Sequence, residues 1–84
     1  MRSFKQKVLN VVKGIKRGQT MTYKEVARRA KNPLAYRTVG SILAKNFDPK
    51  IPCHRVIKSD GTLGNYNRGI KNKIKLLRKE GAIK

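Results

Sequence analysis

Hydrophobic positions recur at helical spacing in four stretches of this chain, with short polar or glycine-containing breaks between them. In the first, Phe4, Val8, Val11, Val12 and Ile15 share a face, and Ser3 with Gln6 has the form of a capping box. A helix is therefore expected over 4–15. Gly18-Gln19-Thr20 ends it. A second box, Thr22 with Glu25, opens a short helix over 22–30 that offers Val26, Ala27 and Ala30 for packing. Lys31-Asn32-Pro33 reads as a turn, and 34–45 as a third helix using Val39, Ile42 and Leu43. Two short helices joined by a tight turn make a helix-turn-helix candidate. Asn46-Phe47-Asp48-Pro49 closes that region. The stretch 51–58 is too short and proline-interrupted for a helix, beyond a single turn at the cysteine. Ser59-Asp60-Gly61-Thr62 can close a small hairpin between Val56-Ile57 and Leu63. Gly64-Asn65-Tyr66-Asn67-Arg68-Gly69 is an irregular loop, and a last helix over 70–79 carries Ile70, Ile74 and Leu77 on one face. Lys71, Lys75 and Arg78 lie beside that face.

The chain has 84 residues, no internal repeat and no linker, which gives a single domain over 1–84. Hydrophobic residues make up 38%, enough for one thin core and too many for a disordered basic tail. No apolar run approaches a membrane span, and Met1-Arg2-Ser3-Phe4-Lys5 is unlike a secretory signal. The single cysteine forms no internal disulfide, which fits a cytoplasmic protein. Charge changes the picture most. Twenty-two Lys and Arg face four Asp and Glu, a formal net charge of +18 that points to phosphate backbones or anionic membrane surfaces. The basic residues are spread over every segment and not gathered on one amphipathic helix, so nucleic acid is the expected partner and a membrane is not. A surface that is merely well solvated would mix both signs.

The only cysteine and the only histidine are adjacent, in Pro52-Cys53-His54-Arg55-Val56. A thiolate is a strong nucleophile, and a nearby base can generate or stabilise it. The alternative is an inert, buried cysteine that packs as a small hydrophobe. One cysteine, one histidine and scattered carboxylates cannot build a tetrahedral zinc site, so no metal is expected. The acids can be assigned almost by elimination. Glu25 belongs to a capping box, while Asp48 and Asp60 sit in turns. Glu80 lies near the end of the last helix, where the helix dipole disfavours a negative charge. His54 is its natural partner, because a carboxylate can orient an imidazole; a surface pair with Arg or Lys is the alternative.

Pro52-Cys53-His54-Arg55-Val56, followed by Gly64-Asn65-Tyr66, closely resembles the active site of the O6-alkylguanine-DNA alkyltransferases. The likeness extends outward in the right order. It takes in Met21-Thr22-Tyr23 with Glu25-Val26-Ala27, Asn32-Pro33 with Arg37-Thr38-Val39-Gly40, and Leu76-Leu77 with Glu80-Gly81. The resemblance implies the family's catalytic and DNA-binding domain, known as the C-terminal one. That domain is mainly α, a small winged-helix-like helix-turn-helix domain with a short β-hairpin.

It also implies a function: irreversible, single-turnover transfer of an alkyl group from O6-alkylguanine in double-stranded DNA onto Cys53, by a monomer and without a cofactor. Cys53 would be the nucleophile, His54 a base acting through a water, and Glu80 its orienting carboxylate. Tyr23 would give a proton or hydrogen bond to guanine N3, and Asn46 would brace the segment carrying the cysteine. The backbone carbonyls of Cys53 and Val56 would receive the base's exocyclic amine, with Gly64, Tyr66 and Asn67 around it. Arg37 would enter the duplex from the minor groove and fill the space of the flipped nucleotide. Tyr36, Thr38, Gly40, Thr22 and Lys45 would lie on the DNA side. Without the family, Arg37 reads as a phosphate contact and Tyr23 as a core aromatic. Two departures stand out: Tyr36 replaces a residue that is often small, and Asn67 one that is often serine. The competing readings are an alkyltransferase-like module that binds lesions without chemistry, and a general basic nucleic-acid binder. The first kind of protein replaces the cysteine, which this chain keeps.

Overall fold

The structure is a computed structural model that describes residues 3–46, 48, 50–60, 62–63 and 69–83. Helix α1 (Phe4–Lys13) starts where expected, with the Ser3 hydroxyl accepting from the Gln6 N–H at 3.2 Å. It ends two residues early at Gly14, and Ile15 still reaches the core. Strand β1 (Met21–Thr22) leads into α2 (Tyr23–Arg29), capped by the Thr22 hydroxyl, which accepts from the Glu25 N–H at 3.0 Å. The Glu25 side chain turns to Arg28 and Arg29, whose guanidinium groups offer a carboxylate stronger bonds than a backbone amide does. Helix α3 (Tyr36–Ala44) begins later than expected, and its N-cap, Ala35, has no side-chain capping bond. Then come a 3₁₀ turn (Cys53–Arg55), strand β2 (Val56–Ile57) and α4 (Ile70–Lys79).

The apolar stripes meet in one core. Val8 and Val12 of α1, Val26 and Ala27 of α2, and Val39 and Leu43 of α3 are buried together with Ile15, Ala30, Cys53 and Val56. The expected mainly helical architecture with a small sheet is what forms. The hairpin is corrected: β2 pairs with β1, in parallel, with Met21 opposite Val56 and Thr22 opposite Ile57. Parallel strands need a long crossover, and α2, α3 and the cysteine turn supply it. Leu63 is in no strand. The Lys58 N–H does bond the Thr62 carbonyl at 3.0 Å, but Asp60 takes up the Thr62 N–H and hydroxyl locally, so the turn closes on itself. Val56 is fully buried and completes the core beside β1. The pairing matters for function, because it fixes the residue after β1, Tyr23, relative to the turn before β2, which carries Cys53. Among the described residues no helix is long and apolar enough to cross a membrane.

Candidate active site

Cys53 opens the 3₁₀ turn and is only 7% exposed. Pro52 precedes it, and the turn is held by the Arg55 N–H to the Pro52 carbonyl at 3.0 Å and the Cys53 N–H to the Ile51 carbonyl at 2.8 Å. The Asn46 side chain, just past α3, donates from Nδ2 to Cys53 Sγ at 2.9 Å. Asn46 thus reaches the sulfur itself and not only the segment around it. A donor this close favours the anionic form of sulfur over the neutral thiol.

The next two residues converge on Glu80, at the C-terminal end of α4. His54 Nε2 lies 3.0 Å from Oε2, while Arg55 donates from Nε to Oε1 at 2.9 Å and from Nη2 to Oε2 at 2.7 Å. Arg55 also donates from Nη1 to the Ile15 carbonyl at 2.8 Å, tying the end of α1 into the cluster. The two readings of Glu80, partner to histidine or to arginine, hold at once. The Arg55 guanidinium first, then the His54 hydrogen bond, holds the Glu80 carboxyl well below its ordinary range, at about 2. An ionised carboxylate only accepts, so Nε2 carries the proton it shares with Glu80 and Nδ1 is the basic nitrogen of a neutral His54.

Two cavities meet at Cys53 and share no other lining residue. The larger, of about 710 Å³, is walled by Tyr23, Tyr36, Arg37, Gly40 and Ala44. The smaller, of about 380 Å³, holds Asn46, His54, Arg55 and Glu80. The sulfur therefore has one face toward an open chamber and another toward the groups that adjust its proton. In the chamber, burial and then the charge of Cys53 push the Tyr23 phenol above its usual range, which keeps it protonated. A Cβ at Gly40 would meet the Tyr23 ring at 3.9 Å, an ordinary contact. The Lys24 ammonium lies 5.6 Å from the centre of the Tyr36 ring, which is 36% exposed at the chamber wall.

The remaining expected residues are placed less centrally. Arg37 and Thr38 are exposed on the first turn of α3, and Lys45 is exposed at its end. Thr22 caps α2, and neither it, Thr38 nor Lys45 lines the chamber. Gly64, Tyr66 and Asn67 lie outside the described residues. The carbonyls of Cys53 and Val56 each already accept one hydrogen bond, from the Val56 N–H and from Lys73 Nζ at 2.6 Å. A carbonyl oxygen has two lone pairs and can accept a second hydrogen bond. Lys73 is the residue that sequence reasoning missed. It is fully buried, and the signal was readable, since it falls four residues before Leu77, the other buried residue of α4, while Ile70 at the helix start is exposed.

Residues 3–82 match the family described as "6-O-methylguanine DNA methyltransferase, DNA binding domain". A methylated-DNA–protein-cysteine methyltransferase of Methanothermobacter thermautotrophicus is 48% identical over 79 residues, 93% of this chain and 44% of that protein. Among solved structures, Mycobacterium tuberculosis OGT in complex with DNA superposes with a TM-score of 0.88 at 37% identity, over 95% of this chain and 49% of that one. Schizosaccharomyces pombe Atl1, in complex with damaged DNA containing O6-carboxymethylguanine, gives 0.85 at 34% identity, over 96% of this chain and 80% of that one. The chain spans less than half the length of the methyltransferase it matches. Its sequence and fold together place it in the family of the 6-O-methylguanine DNA methyltransferase DNA-binding domain.

Proposed function

We propose that this chain is the catalytic, DNA-binding domain of an O6-alkylguanine-DNA alkyltransferase, the part that is C-terminal in the family, and that it accepts the alkyl group on Cys53. The observation that carries this reading is the seat of the sulfur. Cys53 lines a chamber of about 710 Å³ walled by Tyr23 and the start of α3, and Asn46 is bonded to it from the other side. An alkyl carbon on guanine O6 is out of reach inside stacked DNA, so the nucleotide is flipped into the chamber, at a cost of a few kcal/mol. Arg37, at the chamber mouth, takes the place it vacates from the minor groove. Tyr36 and Gly40 shape the wall, and Thr22, Thr38 and Lys45 lie toward the backbone. The net charge of +18 supplies the attraction to phosphate.

In the chemical step the Cys53 thiolate attacks the alkyl carbon in line. The S–C bond forms as the C–O6 bond breaks, and the electron pair goes to the base. Tyr23 delivers a proton at N3, so guanine leaves neutral. His54 Nδ1, through a water, removes the thiol proton, and Glu80 holds the ring. The carbonyls of Cys53 and Val56 receive the exocyclic amine, with Gly64, Tyr66 and Asn67 closing the site. The thioether has no group in this chain to cleave it, so each molecule acts once, as a monomer in the cytoplasm, folded as one domain and without a cofactor.

The similarity to Atl1, of which the chain covers 80%, favours a second reading as a lesion-binding module without chemistry. Intact-protein mass spectrometry after incubation with duplex containing O6-methylguanine separates the two. One added methyl, mapped to Cys53 and never exceeding one per molecule, is the expected result. Cys53→Ala loses the transfer and keeps binding to the lesion. Folded wild-type protein that binds the lesion and gains no mass overturns the transfer reading. Equal binding to undamaged duplex overturns both.

A further inference from the structure

A fully buried lysine calls for an anion, and Lys73 has no carboxylate to answer it. The chain has four Asp and Glu side chains, and each is engaged elsewhere. Glu25 holds Arg28 and Arg29, Glu80 holds His54 and Arg55, Asp60 bonds Thr62, and Asp48 accepts from the Lys50 N–H. The hydrogen bond that Lys73 Nζ makes, at 2.6 Å, goes to the Val56 carbonyl, at the end of the turn that Cys53 begins. The centre of the Tyr23 ring lies 6.0 Å away, and Tyr23 lines the chamber with Cys53.

We propose that Lys73 is the buried counter-charge of Cys53, a positioning residue that stabilises the thiolate formed when His54 takes the thiol proton. The proposal rests on the alkyl-transfer reading for its use, but not for its test. Among the described residues, the titratable groups facing Lys73 are Tyr23 from α2 and Cys53 from the turn, while His54 and Arg55 are bonded to Glu80. Electrostatics point the same way. Burial pulls the Lys73 ammonium down to about 8, and the negative charge of Cys53 acts against that fall. A negative charge on Cys53 thus favours the protonated form of Lys73 against the pull of burial. The coupling is reciprocal: whatever the thiolate does for the ammonium, the ammonium does for the thiolate. The two sides of the sulfur then divide the work. Asn46 and His54 act across the smaller cavity, and Lys73 acts from within the core.

The test needs no DNA. The rate of Cys53 alkylation by iodoacetamide is followed against pH in wild type and in Lys73→Met, which keeps the length of the side chain and removes its charge. The expected result is a thiol that titrates higher in the variant, with the rate at pH 7 falling roughly tenfold or more, the size expected for removing a nearby opposite charge. A folded Lys73→Met with the wild-type profile overturns the proposal. Should that variant not fold, Cys53→Ala in the same protein decides. The Lys73 Nζ and Cε resonances are followed by NMR, and the titration midpoint is expected to fall when the sulfur is removed. An unchanged midpoint overturns the proposal. Wild-type protein that gives the expected iodoacetamide profile but transfers nothing from DNA would instead count against the functional reading alone.

Discussion

Two glutamates show how little a depressed carboxyl says until its surroundings are known. Glu25 and Glu80 are both held at about 2, and in each case an arginine hydrogen bond is the largest cause. Glu25 is part-exposed on α2, and its partners are three and four residues further along the same helix. Glu80 has a side chain only 10% exposed, and its partners come from the cysteine turn, 25 and 26 residues away. The first cluster forms wherever α2 forms and is screened by water and salt. The second exists only when α1, the turn and α4 have met, since Arg55 also clasps the Ile15 carbonyl. The same local chemistry is an ornament of one helix in one place and a fastening of the active site in the other.

The sharpest way to break this comparison is Glu80→Gln. It leaves the Arg55 guanidinium largely buried without its anion, a change that costs about 3–5 kcal/mol when a buried pair loses one partner. Thermal melts should show that loss. Alkyl transfer by the folded fraction should also slow by roughly 10²–10⁴-fold, as His54 loses its orienting partner. A Glu80→Gln protein with wild-type stability would mean that the cluster does not fasten the site. The pH dependence follows from the sign of the shift. A carboxyl lowered in the folded state from 4.5 to about 2 stabilises the protein fully above 4.5, and that contribution disappears as pH falls toward 2. Acid unfolding of wild type should therefore steepen in this window, and Glu80→Gln should lack the component. A smaller effect is expected at Gly18. Its φ is +86°, and a Cβ there would lie 3.2 Å from the Glu80 carbonyl oxygen. Gly18→Ala should cost about 1–2 kcal/mol from the left-handed backbone alone, measured by denaturant unfolding. A neutral outcome would show that the chain around Glu80 can yield.

Much of this arrangement was legible in the sequence, where the signal is local. Ser3 and Thr22 announced helix starts because a cap needs only a hydroxyl three residues before an amide, and both caps form. The 3.6-residue period located the last helix as Ile70–Lys79, its observed bounds. Glu80 could be matched with His54 because the chain has so few acids that elimination works. What failed to show was contact between distant segments. The hairpin turn at Ser59-Asp60 was real, yet β2 found its partner 35 residues upstream, where Val56 could be buried against β1. Arg55 gave no sign that it would join Glu80 to Ile15, since nothing local fixes where a long cationic side chain goes. Lys73 was hidden by its type, because a lysine in a chain with 22 Lys and Arg reads as surface charge. Only its place one turn before Leu77, on the buried face of α4, marks it as different.

The smallest expected effect is the most demanding test of the comparison. Glu25→Gln removes a carboxyl shifted as far as that of Glu80, so a reading based on the shift alone expects an equal loss. The structural reading expects almost none. The Thr22 cap uses the backbone N–H of residue 25, which glutamine retains, and Arg28 and Arg29 are exposed and pass to water without an unpaired charge being buried. The thermal melt of Glu25→Gln should lie within the scatter of wild type at ordinary ionic strength. Screening by water and salt leaves the exposed cluster little hold on the carboxyl, so the acid-unfolding curve of Glu25→Gln should depart from wild type between pH 4.5 and 2 far less than that of Glu80→Gln. If Glu25→Gln instead flattens that curve as Glu80→Gln does, the local arginine cluster is coupled to global folding. Burial then ceases to be what distinguishes the two glutamates.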